Sequence, residues 1–183
     1  MKIKTYSIET NCFDINTKVE LQDGTKIPLS QVSEGIFIKS ANEYYIHNYA
    51  SKLDIIPNTR DIIYSRIKRI YYNKKILFQI VTNTKKTITC SLSQKIKAMR
   101  RMDGLNNYKM KPLCELLDEI EPNNFTRNIN EEIHHLITED GIEDIISFCG
   151  VGEKETIDIE IDNPNNQFFA NGILVSSYNK DIN

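Results

Sequence analysis

The sequence lacks any apolar run near the about 18 residues that cross a bilayer as a helix. It also lacks an apolar signal-peptide core at its N-terminus. An intracellular, cytoplasmic protein with no membrane partner is therefore expected. Charge of one sign is missing too: a formal net charge of −2 leaves no electrostatic footprint for nucleic acid. The local cluster Lys95, Lys97, Arg100 and Arg101 reads more simply as a solvated face. No Cys-x-x-Cys and no paired Cys/His spacing suggests zinc, so neither a metal nor another cofactor is expected. His134 and His135 are neighbours, and adjacent side chains on a strand or helix do not converge on one point; surface positions are expected for both. No internal repeat is evident.

What is present suits one compact domain, alone or with an insertion: 183 residues, 40% of them hydrophobic, are enough for a core. The four cysteines are Cys12, Cys90, Cys114 and Cys149. The last three lie in apolar contexts (TITCSL, PLCELL, ISFCGV) and are expected to be buried thiols. Cys12 differs, following the polar Glu9-Thr10-Asn11 and opening the first regular stretch.

Most of the chain reads as short strands separated by turns. Residues 1–11 alternate weakly and could form an edge strand. Val19 to Ile27 makes a hairpin about Asp23-Gly24, and Pro28 opens one helical turn through Val32. Asp61 to Tyr72 and Lys75 to Thr82 read as two strands around an Asn73-Lys74 turn. Asn83 to Lys86 turns the chain into a strand ending at Cys90-Ser91. Composition becomes polar and acidic from Glu121 to Gly141, broken by Pro122-Asn123-Asn124. Glu143 to Phe148 is expected as a strand that pairs, through Gly150-Val151-Gly152, with the opening stretch.

The stretch from Thr156 onward carries the strongest pattern. Ile157, Ile159 and Ile161 alternate as on a half-buried strand. Asp162 to Asn166 supplies turn residues, Phe168-Phe169-Ala170 resumes an apolar run, and Asn171-Gly172 is a hairpin signal. Ile173-Leu174-Val175 then leaves as a buried strand that ends at Ser176. Terminal residues are normally loose unless something ties them down, so a buried strand here needs a purpose.

Asp158, Phe168-Phe169, Ala170-Asn171-Gly172 and the aliphatics 173–175 together resemble the C-terminal motif of inteins, the self-splicing Hint domains. Cys12 with Asn16-Thr17-Lys18-Val19 resembles the intein start, Asn16 standing in the usual Asp place. Ser91-Leu92-Ser93-Gln94 aligns with the family's Thr-x-x-His, and residues 111–117 resemble the short helix that follows. The resemblance departs at polar positions: Gln94 and Asn166 stand where the motif has His, and Ser176-Ser177 where it has His-Asn.

The resemblance implies an all-β Hint horseshoe with short helices, spanning residues 12–177. Residues 1–11 and 178–183 would be flanks belonging to an interrupted host, and about 101–141 a short linker or insertion. The flanking extein segments of its own host protein would be its partners, and a monomer is expected. The 121–141 stretch is too short for a homing endonuclease and carries no such motif, which implies a mini-intein.

In this family the first Cys attacks the preceding carbonyl, turning an amide into a thioester. Cys12 would be the nucleophile and the Asn11 carbonyl its target. Ser91 and Gln94 would hold that carbonyl or its oxyanion, a task for hydrogen-bond donors; Gln cannot shuttle a proton as His does. Asp158 would tune the nucleophiles at both junctions. Three alignments of the second junction stay open: Ser177 terminal before Tyr178, Ser176 terminal before Ser177, or Asn179 terminal before Lys180. None supplies both a cyclising Asn and a following nucleophile. The expectation is single-turnover autoprocessing with a disabled second junction, so that a precursor is trapped. The alternative is a catalytically degenerate Hint-like scaffold serving as a binding or structural module.

Overall fold

The computed structural model describes residues 11–45, 59–100, 108–118 and 134–178. The chain opens with β1 (Phe13–Asp14), then the hairpin of β2 (Lys18–Glu20) and β3 (Lys26–Pro28), turned about Asp23-Gly24 as expected. Pro28 leads into a single 3-10 turn over Leu29–Gln31. Next come β4 (Phe37–Ala41), the long β5 (Ile62–Thr82), and β6 (Thr87–Cys90). After them follow β7 (Lys95–Arg100), β8 (Lys109–Pro112) and the one-and-a-half-turn helix α1 (Leu113–Asp118). The remaining strands are β9 (His134–Thr138), the long β10 (Gly141–Ile161), β11 (Gln167–Ala170) and β12 (Ile173–Ser176).

Among the described residues, ten strands join one antiparallel sheet, with β2–β3 apart. The sheet runs β10-β1-β6-β5-β4-β11-β12-β9-β7-β8 and folds back on itself, because β10 also pairs with β5 and β9, and β12 with β7. The all-β reading holds. No helix among the described residues is long and apolar enough to cross a membrane.

The frame is the β5–β10 ribbon, two strands of 21 residues each, several times the usual strand length. Bulges at Ile145/Ser147, Gly150/Gly152 and Glu160/Ile161 bend it and let one strand serve two regions of the sheet. Gly152 takes φ +88° at the middle bulge, a conformation glycine adopts without steric cost. The expected turn at Asn73-Lys74 does not form. Both residues stay extended because Thr156 and Glu155 pair with them across the ribbon, and Lys74 reaches Glu153 at 2.7 Å. A partner strand has overridden a local turn signal.

Other expectations are corrected in the same region. The opening strand pairs farther along β10, Phe13 with Ile157 and Asp14 with Thr156, whereas Ser147 to Gly150 pairs with β5. Cys149 is exposed and Cys114 only half-buried, while Cys90 is buried. With Phe148 packed on the core, the two-residue period of a strand turns Cys149 outward. Within the 101–141 stretch, expected as a short linker or insertion, β9 is part of the sheet and pairs with β10, β12 and β7. His135 is half-buried there against Asp144, its cross-strand partner, at 2.5 Å, so it is not a plain surface residue. Lys97 is likewise half-buried, and burial pushes its ammonium pKa down. The edge strand expected over residues 1–11 lies, apart from Asn11, outside the described residues, as does Arg101.

The core is filled by the β-branched residues that the strands present on one face. Ile38, Ile67, Ile80, Ile88, Ile96, Ile157 and Ile159 form its centre with Leu113 and Leu116 of α1. Phe13 meets Phe168 edge-on, with centroids 5.6 Å apart. The adjacent Phe169 faces the other way, into a second cluster with Tyr45, Ile137 and Leu174. Every residue of β11 and β12 is therefore buried, since both faces of this hairpin are covered. Asn171 and Gly172, at φ +49° and +78°, make the tight hairpin turn that their sequence specifies.

Candidate functional site

The pairing of β1 with β10 and β6 places the chain just before Phe13 at the end of β6. Phe13 lies opposite both Ile157 and Cys90, so Cys12 reaches Ser91, one residue beyond Cys90. Cys12 is fully buried. Its backbone N–H donates to Ser91 Oγ at 3.1 Å, and its carbonyl accepts from the Ser91 N–H at 2.9 Å. Ser91 thus brackets the residue from both sides. Behind it Ser93 Oγ lies 3.1 Å from Ser91 Oγ. The Ser91–Gln94 turn is closed by the Gln94 N–H on the Ser91 carbonyl at 3.0 Å. It is docked onto the start of α1, whose Leu113 and Cys114 N–H groups donate to Gln94 and Leu92 carbonyls.

Gln94 is fully buried and looks toward the other end of the chain. Its Nε2 donates to the Lys95 and Ser176 carbonyls, each at 2.9 Å, and lies 3.3 Å from Ser176 Oγ. Asn11 Nδ2 donates to the same hydroxyl at 3.3 Å, across 165 positions of sequence. The contacts of Ser91 and Gln94 therefore differ from those the sequence suggested. Ser91 touches the amide nitrogen of the Asn11–Cys12 peptide, and Gln94 the carbonyl of the Ser176–Ser177 peptide.

The remaining residues singled out from sequence near Ser176 are tied by backbone bonds. Ser177 N–H donates to the Asn166 carbonyl at 2.7 Å, and Tyr178 N–H to the Ile159 carbonyl at 2.9 Å. Asn166 sits half-buried at φ +48° in the turn before β11, where its side chain is not what grips Ser177. Asn163 Nδ2 braces that turn against the Ala41 and Gln167 carbonyls, both at 3.2 Å. The Tyr178 ring packs on Tyr71 with centroids 4.5 Å apart. Ser177 is buried, and its Oγ has no hydrogen-bond partner.

Asp158 is buried on β10. Oδ1 accepts from the Ile159 N–H at 2.8 Å and Oδ2 has no partner. Burial pushes its carboxyl well above the usual carboxylate range, against weaker opposing pulls from that N–H and from Lys75. Asp158 stands between Ile157, which pairs with Phe13, and Ile159, which holds Tyr178. Burial likewise pushes the Cys90 thiol far up, and the neighbouring Cys12 adds to it.

The structure joins Asn11, Cys12, Ser91, Gln94 and Ser176 in one hydrogen-bond network. Ser177, Asn166 and Tyr178 attach through the backbone, and Asp158 by way of Ile159. Two contributors were not singled out from sequence: Ser93 and the Lys95 carbonyl. Both lie within or beside the Ser91–Gln94 segment, whose first and last positions alone matched a motif. Among the described residues, no group of three or more His, Cys, Asp or Glu could hold a metal.

No protein-family model matches the chain, and no curated protein matches it by sequence. Solved structures do. A DnaB intein from Synechocystis superposes with TM-score 0.62 at 17% identity, covering 93% of this chain and all (100%) of its own. The gp41-1 intein gives TM-score 0.61 at 18% identity over 92% and 100%. A bacterial intein-like domain from Clostridium thermocellum gives 0.59 at 8% over 92% and 100%. The chain has the Hint fold of the mini-inteins, over nearly its whole length.

Proposed function

We propose that this Hint-fold chain is a single-turnover autoprocessing element of the protein-splicing type, with Cys12 as its nucleophile and a second junction that stops short of ligation. One observation carries this reading: the Asn11–Cys12 peptide is held by Ser91 and, through Asn11, by Ser176 at the other end of the domain.

In the first step Cys12 Sγ attacks the Asn11 carbonyl carbon. The C–N bond then breaks, and the thiol proton ends on the freed Cys12 amine. A free thiol is only a few per cent ionised at neutral pH, so the site must assist proton movement. Ser91 Oγ already accepts the amide N–H. As that nitrogen becomes tetrahedral and basic, the same hydroxyl can donate its proton, with Ser93 behind it to share the load. Burial raises the Asp158 carboxyl pKa well above the usual carboxylate range, and the group stands on β10 between Ile157, which pairs with Phe13, and Ile159, whose carbonyl holds Tyr178.

At the other junction the geometry favours the Ser176–Ser177 peptide as the reacting bond. Gln94 Nε2 polarises its carbonyl, and the Ser177 hydroxyl is buried without a partner. Ser176 cannot cyclise to a succinimide as a terminal Asn does, so release and ligation fail there. The alternative, an inert scaffold, draws on Gln94, Asn166 and Ser176 at the motif's three histidine positions, since none titrates near neutral pH.

Intact mass spectrometry with and without a thiol reductant at mildly alkaline pH separates the two readings. Autoprocessing releases residues 1–11 as a thioester of the reductant and leaves a chain beginning at Cys12. An unchanged mass over days would leave the inert scaffold standing.

A further inference from the structure

From the wiring around Ser176 we infer that this site selects a hydrogen-bond donor, a carboxamide in this chain, on the residue preceding Cys12. The inference rests on the autoprocessing reading and names the side chain that the site accepts at its first junction.

The argument is one of proton bookkeeping. Gln94 faces two carbonyl oxygens, those of Lys95 and Ser176, each at 2.9 Å. Carbonyls only accept, so the nitrogen end of the carboxamide must point at them, and the flipped orientation is excluded. The unpartnered Gln94 Oε1 on the far side agrees with this. Its two N–H groups serve Lys95 on one side and Ser176 on the other, the second shared between the Ser176 carbonyl and its Oγ at 3.3 Å. Ser176 Oγ therefore receives a proton from Gln94.

The single proton of Ser176 points at the Lys95 carbonyl, 3.4 Å away, which completes that oxygen's two acceptor sites. What Ser176 has left is one lone pair, and it faces Asn11 Nδ2 at 3.3 Å. A donor at position 11 satisfies it. A carboxylate has no proton to give it and could bind only by drawing the Ser176 proton off the Lys95 carbonyl, and an aliphatic side chain leaves it unmet in a part-buried place. At the first junction the Ser176 hydroxyl is thus a positioning group: it orients the scissile residue and takes no part in the acyl shift at Cys12.

The test follows release of residues 1–11 by dithiothreitol in the full chain and in variants, using intact mass. Asn11→Leu should release about three- to tenfold more slowly, the loss of one net hydrogen bond. Asn11→Asp should be slower still. In a Ser176→Ala background the difference between Asn and Leu at position 11 should fall within about twofold, which a merely structural role for Ser176 does not predict. Equal rates for the parent and the Asn11→Leu chain, or the same discrimination without the Ser176 hydroxyl, would overturn the inference. If even the unaltered chain releases nothing, the autoprocessing reading fails on its own. Urea denaturation of the parent, the two single variants and their double variant then decides. Coupling between Asn11→Leu and Ser176→Ala upholds the selection of a donor, and strict additivity overturns it.

Discussion

At the scale of residues, Cys12 and Asp158 show how burial changes what a familiar side chain can do. Cys12→Ala should abolish thiol-dependent release of residues 1–11 and leave the circular dichroism spectrum intact; continued release would move the nucleophile elsewhere. Ser91→Ala removes the acceptor of the Cys12 N–H and should slow release by about tenfold or more, in the range of one catalytic hydrogen bond. Asp158 makes a stability prediction with a definite sign. Unfolded, its carboxyl ionises near its ordinary value of about 3.9; folded, burial holds the proton to higher pH. The folded state then binds more protons than the unfolded one above about pH 4, so Asp158 lowers stability as pH rises, up to its folded pKa. Asp158→Asn keeps the acceptor for Ile159 N–H and cannot ionise. Denaturation midpoints should rise in this variant at pH 8 and match the parent at pH 3, while the autoprocessing rate falls.

At the scale of elements, the β11–β12 hairpin holds Ser176 and Ser177 in place. Its turn needs two left-handed residues in succession, and Gly172 is the less replaceable. At φ +78° an added Cβ would also sit 2.8 Å from Glu139 Oε1, a carboxylate already committed to Lys26 at 3.0 Å and Lys39 at 2.8 Å. Gly172→Ala should therefore cost about 1 kcal/mol or more by urea denaturation, the usual range for left-handed strain. Leu174 is fully buried in the second cluster, and Leu174→Ala should cost about 2–5 kcal/mol. Because Ser176 lies two residues further on the same strand, that variant should also slow release per folded molecule, measured below its melting transition.

At the scale of the whole molecule, the Asn11–Cys12 and Ser176–Ser177 segments meet because one sheet returns on itself. The 21-residue strands β5 and β10 form the frame, against which β1 pairs directly through β10 and β12 is held by way of β9. No local segment contains the site: Asn11 and Ser176 are 165 positions apart. Thiol-induced release should then vanish in the same urea transition as the circular dichroism signal. Release persisting in unfolded chain would show that Cys12 reacts without the fold.

The sequence by itself determined the pieces whose geometry is local. Asp23-Gly24 and Asn171-Gly172 turn where they do because of the φ values such residues tolerate. Pro28 opens its 3-10 turn, and the Ile alternation from 157 to 161 makes a buried face. The resemblance of the last stretch to the intein motif pointed to the Hint fold before any contact was known. Tertiary structure alone decided what depended on a partner distant in sequence. Asn73-Lys74 stays straight because β10 lies beside it, and Cys149 faces out because Phe148 faces in. Ser91 and Gln94, neighbours in one turn, bond to segments far apart in sequence, Ser91 to the Cys12 N–H and Gln94 to the Ser176 carbonyl. The direction of the hydrogen bonds through Ser176 is set by two carbonyls and a carboxamide drawn together from separate strands. Residue types state which groups can donate or accept; only the fold fixes which of them meet.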